Sequence, residues 1–199
     1  VPVEDSANLD ITVKNTKEHA NATGIFADTW ASLTSTGTTD VNVSVNTTTT
    51  YKLGDGILVS GLHNEDANNG DLTIKNGTVN VSFDNNARGY GFFGAAIIAS
   101  TYATDGSLLI ENATVNTTAN NDGRQYVAIQ ECSRAKSTDP TLIVRNSTLN
   151  LSGKGLNGGL ASWYSGMHLD NSNVTVNCQV GGHTLQARFL KISGGEEVS

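Results

Sequence analysis

The chain has 199 residues, 37% of them hydrophobic, and a formal net charge of −7 from 12 Lys+Arg against 19 Asp+Glu. That much apolar residue, patterned rather than scattered, excludes a disordered segment, and the length suits one domain or one continuous stack. The acidic balance argues against a phosphate-backbone partner, so no nucleic acid is expected, and no apolar run is long enough to predict a membrane span.

The opening "VPVEDSAN" lacks the basic and apolar regions of an export signal. If the chain is exported, its signal has been removed. Leu9, Ile11 and Val13 then alternate with polar residues, which predicts a strand with one face inward. "GIFA" follows at Gly24. The same order returns at Val41, Val43 and Val45 and at "GILV" from Gly56, each 32 residues later.

From Asp71 the chain reads "DLTIKNGTVNVSF". Leu72 and Ile74 alternate before Asn76. Val79, Val81 and Phe83 alternate after it in the opposite phase, with Asn80 and Ser82 expected to point to solvent. The phase break at "NGT" predicts strand, tight corner, strand, because Asn and Gly tolerate left-handed dihedrals. A third apolar stretch, "GFFGAAI", begins at Gly91. The unit recurs as "SLLIENATVNTT" around Asn112, followed by "YVAI" at Tyr126. It recurs as "TLIVRNSTLNLS" around Asn146, followed by "GGLASW" at Gly158, and as "MHLDNSNVTVN" around Asn171. The tail "FLKISGGEEV" starts a further turn, with Leu190 and Ile192 in the places of Leu72 and Ile74.

Repeats of several short strands without a helical period predict a β-solenoid of about six rungs. Equivalent residues would stack about 4.8 Å apart in parallel register and form apolar ladders. The corner asparagines would stack as well, amide to carbonyl. An antiparallel sandwich would have no reason to keep one phase break at one asparagine. The ten N-x-[ST] sequons arise from the repeat itself. A glycan at a stacked corner would break the ladder, so they are read as structural and a bacterial source is expected. Residues 1–199 form a single domain in this reading. No amphipathic helix is available to cover either end of the stack, so either a fragment of a longer surface protein or end segments folded over the core is expected.

The "(L)xIxNxTVN" rung with its asparagine at a tight turn resembles the single-stranded right-handed parallel β-helix group. That group includes pectate lyases, polygalacturonases, bacterial adhesins, autotransporter passengers and carbohydrate-binding cell-surface domains. The resemblance implies an all-β, right-handed parallel β-helix with asparagine-rich corners, exported to the cell surface or beyond.

The two functional classes in that group need different residues. A hydrolase of this fold needs clustered carboxylates, and a lyase needs a base with acidic calcium ligands. The chain has "GGH" at Gly181 and "RFLK" at Arg188 but no "DD" pair and no "NTD". His183 is then read as a ladder or surface histidine, and "STDP" as a loop ending at Pro140. Catalysis is the lesser expectation, with polysaccharide lyase or hydrolase as the alternative and a bare stalk as a third reading. For binding, "DNNARGY" aligns with "NNDGRQY", placing Arg88 on Arg124 and Tyr90 on Tyr126. An aromatic face and a guanidinium fork suit a sugar, so Arg88, Tyr90, Arg124, Tyr126, Trp163 and Tyr164 are the candidate residues for a polysaccharide or host glycan. The same residues could equally stack as pure structure. No cofactor is implied. Calcium would suit the oxygens of Asp84, Asn85, Asn86, Asn120, Asn121, Asp122 and "HNEDANNGD", but no EF-hand or RTX spacing supports it. Cys132 and Cys178 are read as small apolar fillers, with a disulfide between neighbouring turns left open.

Overall fold

The computed structural model describes residues 2–3, 9–15, 22–28, 33–35, 40–47, 58–65, 71–85, 93–101, 106–121, 126–134, 138–154, 156–178, 183–195 and 197–199. There the chain is built from strands in three parallel sheets of seven, seven and six strands. The first sheet takes Pro2–Val3, Leu33–Ser35, Leu72–Lys75, Leu108–Glu111, Pro140–Arg145, Gly166–Asp170 and Phe189–Ser193. The second takes Leu9–Asn15, Asp40–Thr47, Thr78–Asn85, Thr114–Asn121, Thr148–Gly153, Asn173–Cys178 and Glu197–Val198. The third takes Ala22–Asp28, Leu58–Glu65, Phe93–Thr101, Tyr126–Glu131, Leu156–Ser162 and His183–Gln186. Each rung visits the three sheets in turn and pairs with the rungs on either side. The fold is a parallel β-helix with six full rungs and a seventh that adds strands to the first two sheets only.

Register explains the core. Leu72, Leu108, Leu142 and Met167 form one inner column, and Ile74, Ile110, Val144 and Leu169 form the next. Val79, Val115, Leu149 and Val174 form a third across the corner. All twelve are at most 2% exposed. Each such side chain removed from water contributes about 1.5–3 kcal/mol, so the ladders are the main source of stability. In the seventh rung Leu190 and Ile192 continue the first two columns but are 45% and 53% exposed, because no described rung lies over them. The column through Val81 and Leu151 contains Thr117, whose hydroxyl is the one buried side-chain polar atom without a partner among the described residues.

The corner between the first and second sheets follows the expected chemistry. Asn76, Asn112, Asn146 and Asn171 have φ of 60°, 52°, 47° and 47°. An ordinary residue in that left-handed region costs about 1–2 kcal/mol, and asparagine visits it more readily. Their backbone N–H groups donate to the carbonyls of Glu111, Arg145, Asp170 and Ser193 in the next rung, and Asn171 Nδ2 donates to Asn146 Oδ1 at 2.8 Å. The next residue matters too. Ala113 N–H donates to Ser147 Oγ and Ser147 N–H to Ser172 Oγ, so two buried serines join successive rungs inside the turn.

One expectation is corrected here. Asn80 does lie on the outer face, but it is not simply solvated. Asn116 Nδ2 donates to Asn80 Oδ1, and Asn150 Nδ2 donates to Asn116 Oδ1, both at 2.8 Å. Parallel register places identical amides one above another, and each amide both donates and accepts. The side chain of Phe83 lies outside the described set. In the third sheet burial does not alternate, because both faces of these strands are covered. Ala95, Ala96, Ile97, Ile98 and Ala99 are all buried, as are residues 127–131.

Candidate functional site

The chain passes from the third sheet back to the first through the segments after Glu131 and Ser162. Both carry features that the repeat does not explain. Trp163 closes the third apolar stretch "GGLASW" in sequence, but neither it nor Tyr164 lies on the third strand. That strand ends at Ser162, and the pair occupies the bend before Gly166. Continued alternation would have sent one ring inward; instead they are 40% and 46% exposed. Trp163 is anchored to the rung below, its Nε1–H donating to Gln130 Oε1 at 3.0 Å and its backbone N–H to the Glu131 carbonyl at 3.2 Å.

The rung above contributes two residues. Arg188 N–H donates to the Ser165 carbonyl, and its guanidinium donates to the Tyr164 carbonyl at 3.3 Å. Phe189, 38% exposed, pairs with Gly166, and its ring occupies the space a side chain at Gly166 would need. Three exposed aromatic residues, an arginine fork and an amide therefore share one corner of adjacent rungs.

Beneath that corner lies Glu131. It comes two residues after the inward Ile129, so it projects to the inner side, stacked between Ala99 and Ser162. It is fully buried. Ser133 N–H donates to its Oε1 at 2.5 Å, while the hydroxyls of Thr141 and Ser162 donate to Oε2 at 2.6 and 3.1 Å. Burial pushes its carboxyl above the ordinary range, against the pull of these donors. Cys132 beside it is a free thiol, which closes the disulfide question for this residue. Burial, and then the Glu131 charge, push that thiol up to about 12, so it is unreactive at neutral pH. The side chain of Cys178 lies outside the described set.

A second polar array runs along the outer face of the first sheet. Lys75 pairs with Glu111 at 3.0 Å, Glu111 with Arg145 at 3.0 Å, and Arg145 with Asp170 at 3.2 Å. Ser193 donates to Asp170 Oδ1 at 2.6 Å and lies 3.0 Å from His168 Nε2. The hydrogen bonds from Lys75 and then Arg145 hold Glu111 below the usual carboxylate range. Those from Ser193 and then Arg145 do the same for Asp170.

Of the residues singled out from sequence, Trp163 and Tyr164 are brought together at the surface. Arg88, Tyr90 and Arg124 lie outside the described residues. Tyr126 opens its strand opposite Leu156, with its side chain outside the described set. Among the calcium candidates, the side chains of Asp84, Asn85, Asn120 and Asn121 and the whole of Asn86 and Asp122 lie outside it too. Asp71 is occupied in structure, accepting the backbone N–H and hydroxyl of Ser107 in the next rung. Among the described residues no group of three or more His, Cys, Asp and Glu could hold a metal, and no helix is long and apolar enough to cross a membrane. His183 is exposed. Gln130 and Glu131 escaped the sequence reading, and Arg188 and Phe189 entered it only as parts of "RFLK" and of the last turn. "AIQEC" did carry a signal for one of them: an acid in an inward strand position. No family model matches the chain, and no curated protein or solved structure matches it.

Proposed function

We propose that this protein is a non-catalytic β-helix of the cell surface or extracellular space, an adhesin or carbohydrate-binding module that takes a polysaccharide or host glycan. The observation that carries this reading is the aromatic corner. Exposed Trp163, Tyr164 and Phe189 offer apolar faces for the C–H surface of a sugar, buried Gln130 holds the Trp163 ring, and exposed Arg188 adds a polar group beside them. Exposed aromatic clusters of this kind are uncommon on a surface with no partner. A uronic acid would gain most, because its carboxylate could meet the Arg188 guanidinium in a charge-assisted hydrogen bond.

A hydrolase would draw on Glu111 and Asp170, which sit two rungs apart, roughly 9.6 Å by strand spacing. That separation is close to what an inverting mechanism uses, but the mechanism also needs one carboxyl protonated. Lys75, Arg145 and Ser193 hold both below the usual range, so neither keeps a proton at neutral pH. The array is better suited to joining rungs than to cleaving a glycosidic bond.

The test is a glycan array probed with the full chain, with and without calcium, and including uronic-acid oligosaccharides. Binding that also shifts the tryptophan fluorescence, with the shift lost in Trp163→Phe, supports the proposal. If no glycan binds at millimolar concentration, the binding reading fails and the stalk takes its place.

A further inference from the structure

We propose that Glu131 is a positioning residue for the aromatic corner and makes that corner respond to pH, closing in mild acid and loosening as pH rises. This rests on the corner being the binding site, but its geometry stands alone. The carboxylate ties three segments together: its own turn through Ser133, the incoming strand of the first sheet through Thr141, and the end of the third sheet through Ser162. Ser162 is the residue immediately before Trp163, and Trp163 is bonded both to the Glu131 carbonyl and to Gln130. A change in the charge of Glu131 therefore acts on both attachments of the tryptophan.

The donors around it are neutral. Among the described residues no lysine, arginine or histidine pairs with it. Among the described residues, the titratable and charged groups on the segments that surround it are Cys132, Arg134 and Asp139, the last two exposed, and Tyr164 on the bend after Ser162. A buried carboxylate without a cation favours its protonated form. Protonated, Oε2 donates to one hydroxyl while Oε1 still accepts from Ser133.

The sign follows from burial. The closed corner has the higher carboxyl pKa, and an opened corner exposes Glu131 to water at its ordinary value. Closure is fully favoured below that ordinary value and is lost as pH rises through the raised one. Between the two, the opened fraction grows by up to about tenfold per pH unit.

The experiment is an NMR titration of the full chain from about pH 4 to pH 8, following the Ser133 amide and the Trp163 indole N–H. The expected result is one shared midpoint above the usual glutamate range for both signals, with Trp163 backbone hydrogen exchange, corrected for its intrinsic rate, faster on the alkaline side. Glu131→Gln, which mimics the neutral acid, should flatten both. Ser162→Ala, a milder change, should move the shared midpoint upward, because the ionised form loses a donor. A Ser133 signal that titrates while the Trp163 indole stays still would overturn the proposal, as would a shared midpoint that survives Glu131→Gln. Tetragalacturonate binding at pH 5 and pH 7.5 (nominal values, roughly set) completes the test. Coupled titration with no tetragalacturonate bound at either pH would remove the uronic-acid ligand and leave the positioning role intact; binding without coupling would overturn the positioning role and leave the binding reading intact.

Discussion

The molecule turns two of its corners by opposite rules. From the first sheet to the second it uses two residues in each of four successive rungs, after Lys75, Glu111, Arg145 and Asp170. From the third sheet back to the first, the connections after Thr101, Glu131, Ser162 and Gln186 all differ in length. A constant turn keeps equivalent residues in register, so Asn stacks on Asn through four rungs and its backbone hydrogen bond to the next rung is repeated at each. A variable turn brings together residues with no counterpart in the next rung, such as Glu131 with Thr141 and Trp163 with Gln130. Repetition builds the scaffold, and departures from it are where a specific site is built.

The comparison breaks most easily at Glu131. Glu131→Ala removes the acceptor from the Ser133 amide and two hydroxyls in a buried space. The expected loss is about 2–4 kcal/mol, measured by denaturant unfolding, since each orphaned group costs about 1–3 and Thr141 and Ser162 can partly satisfy one another. At the regular corner the loss should be smaller and separable. Asn146→Ala should cost about 1–2 kcal/mol and Asn146→Gly roughly half as much, because glycine keeps the left-handed φ and loses only the amide. Equal losses for the two would mean that φ contributes nothing there.

Thr117→Val should go the other way. The valine restores the apolar column of Val81 and Leu151 and removes an unpartnered hydroxyl, for a gain of about 1 kcal/mol, or a rise in Tm of roughly 2–4 °C. The smallest effect belongs to the ion-pair array. Glu111 and Asp170 have folded pKa values below their unfolded ones, so their contribution is present above the ordinary carboxylate range and is lost as acid protonates them. Glu131 has the opposite sign. Arg145→Gln should therefore give a slight loss at neutral pH that disappears in acid and at about 1 M salt, while Glu131→Gln should flatten the stability profile near neutrality.

Much of this architecture is visible in the residues, because stacking repeats one pattern. Leu72 and Ile74 before Asn76, and Val79 and Val81 after it, alternate in opposite phase, and that alone places both strands and the corner. The register of the tail, Leu190 on Met167 and Ile192 on Leu169, follows from the same rule. The pattern reports which face a residue takes but not what it touches there, so the amide ladder through Asn80 is seen only once the rungs are stacked. The site was half legible. Trp163 and Tyr164 stand out as aromatics beyond the repeat, whereas Arg188 reaches Tyr164 from 24 residues away. Contacts between rungs across irregular turns have no fixed spacing to read.

The most direct measurement compares Trp163→Ala with Asn150→Ala, recording Tm and affinity for the glycan found on the array from the same preparations. Asn150 belongs to the amide ladder and lies on the other side of the repeat pattern from the aromatic corner. If the irregular corner carries function and the repeated ladders carry the fold, Trp163→Ala loses most of the affinity with little change in Tm. Asn150→Ala then lowers Tm, by about 0.5–1.5 kcal/mol in stability, and leaves affinity unchanged. Affinity that falls equally in both variants, or survives intact in Trp163→Ala, would contradict the account.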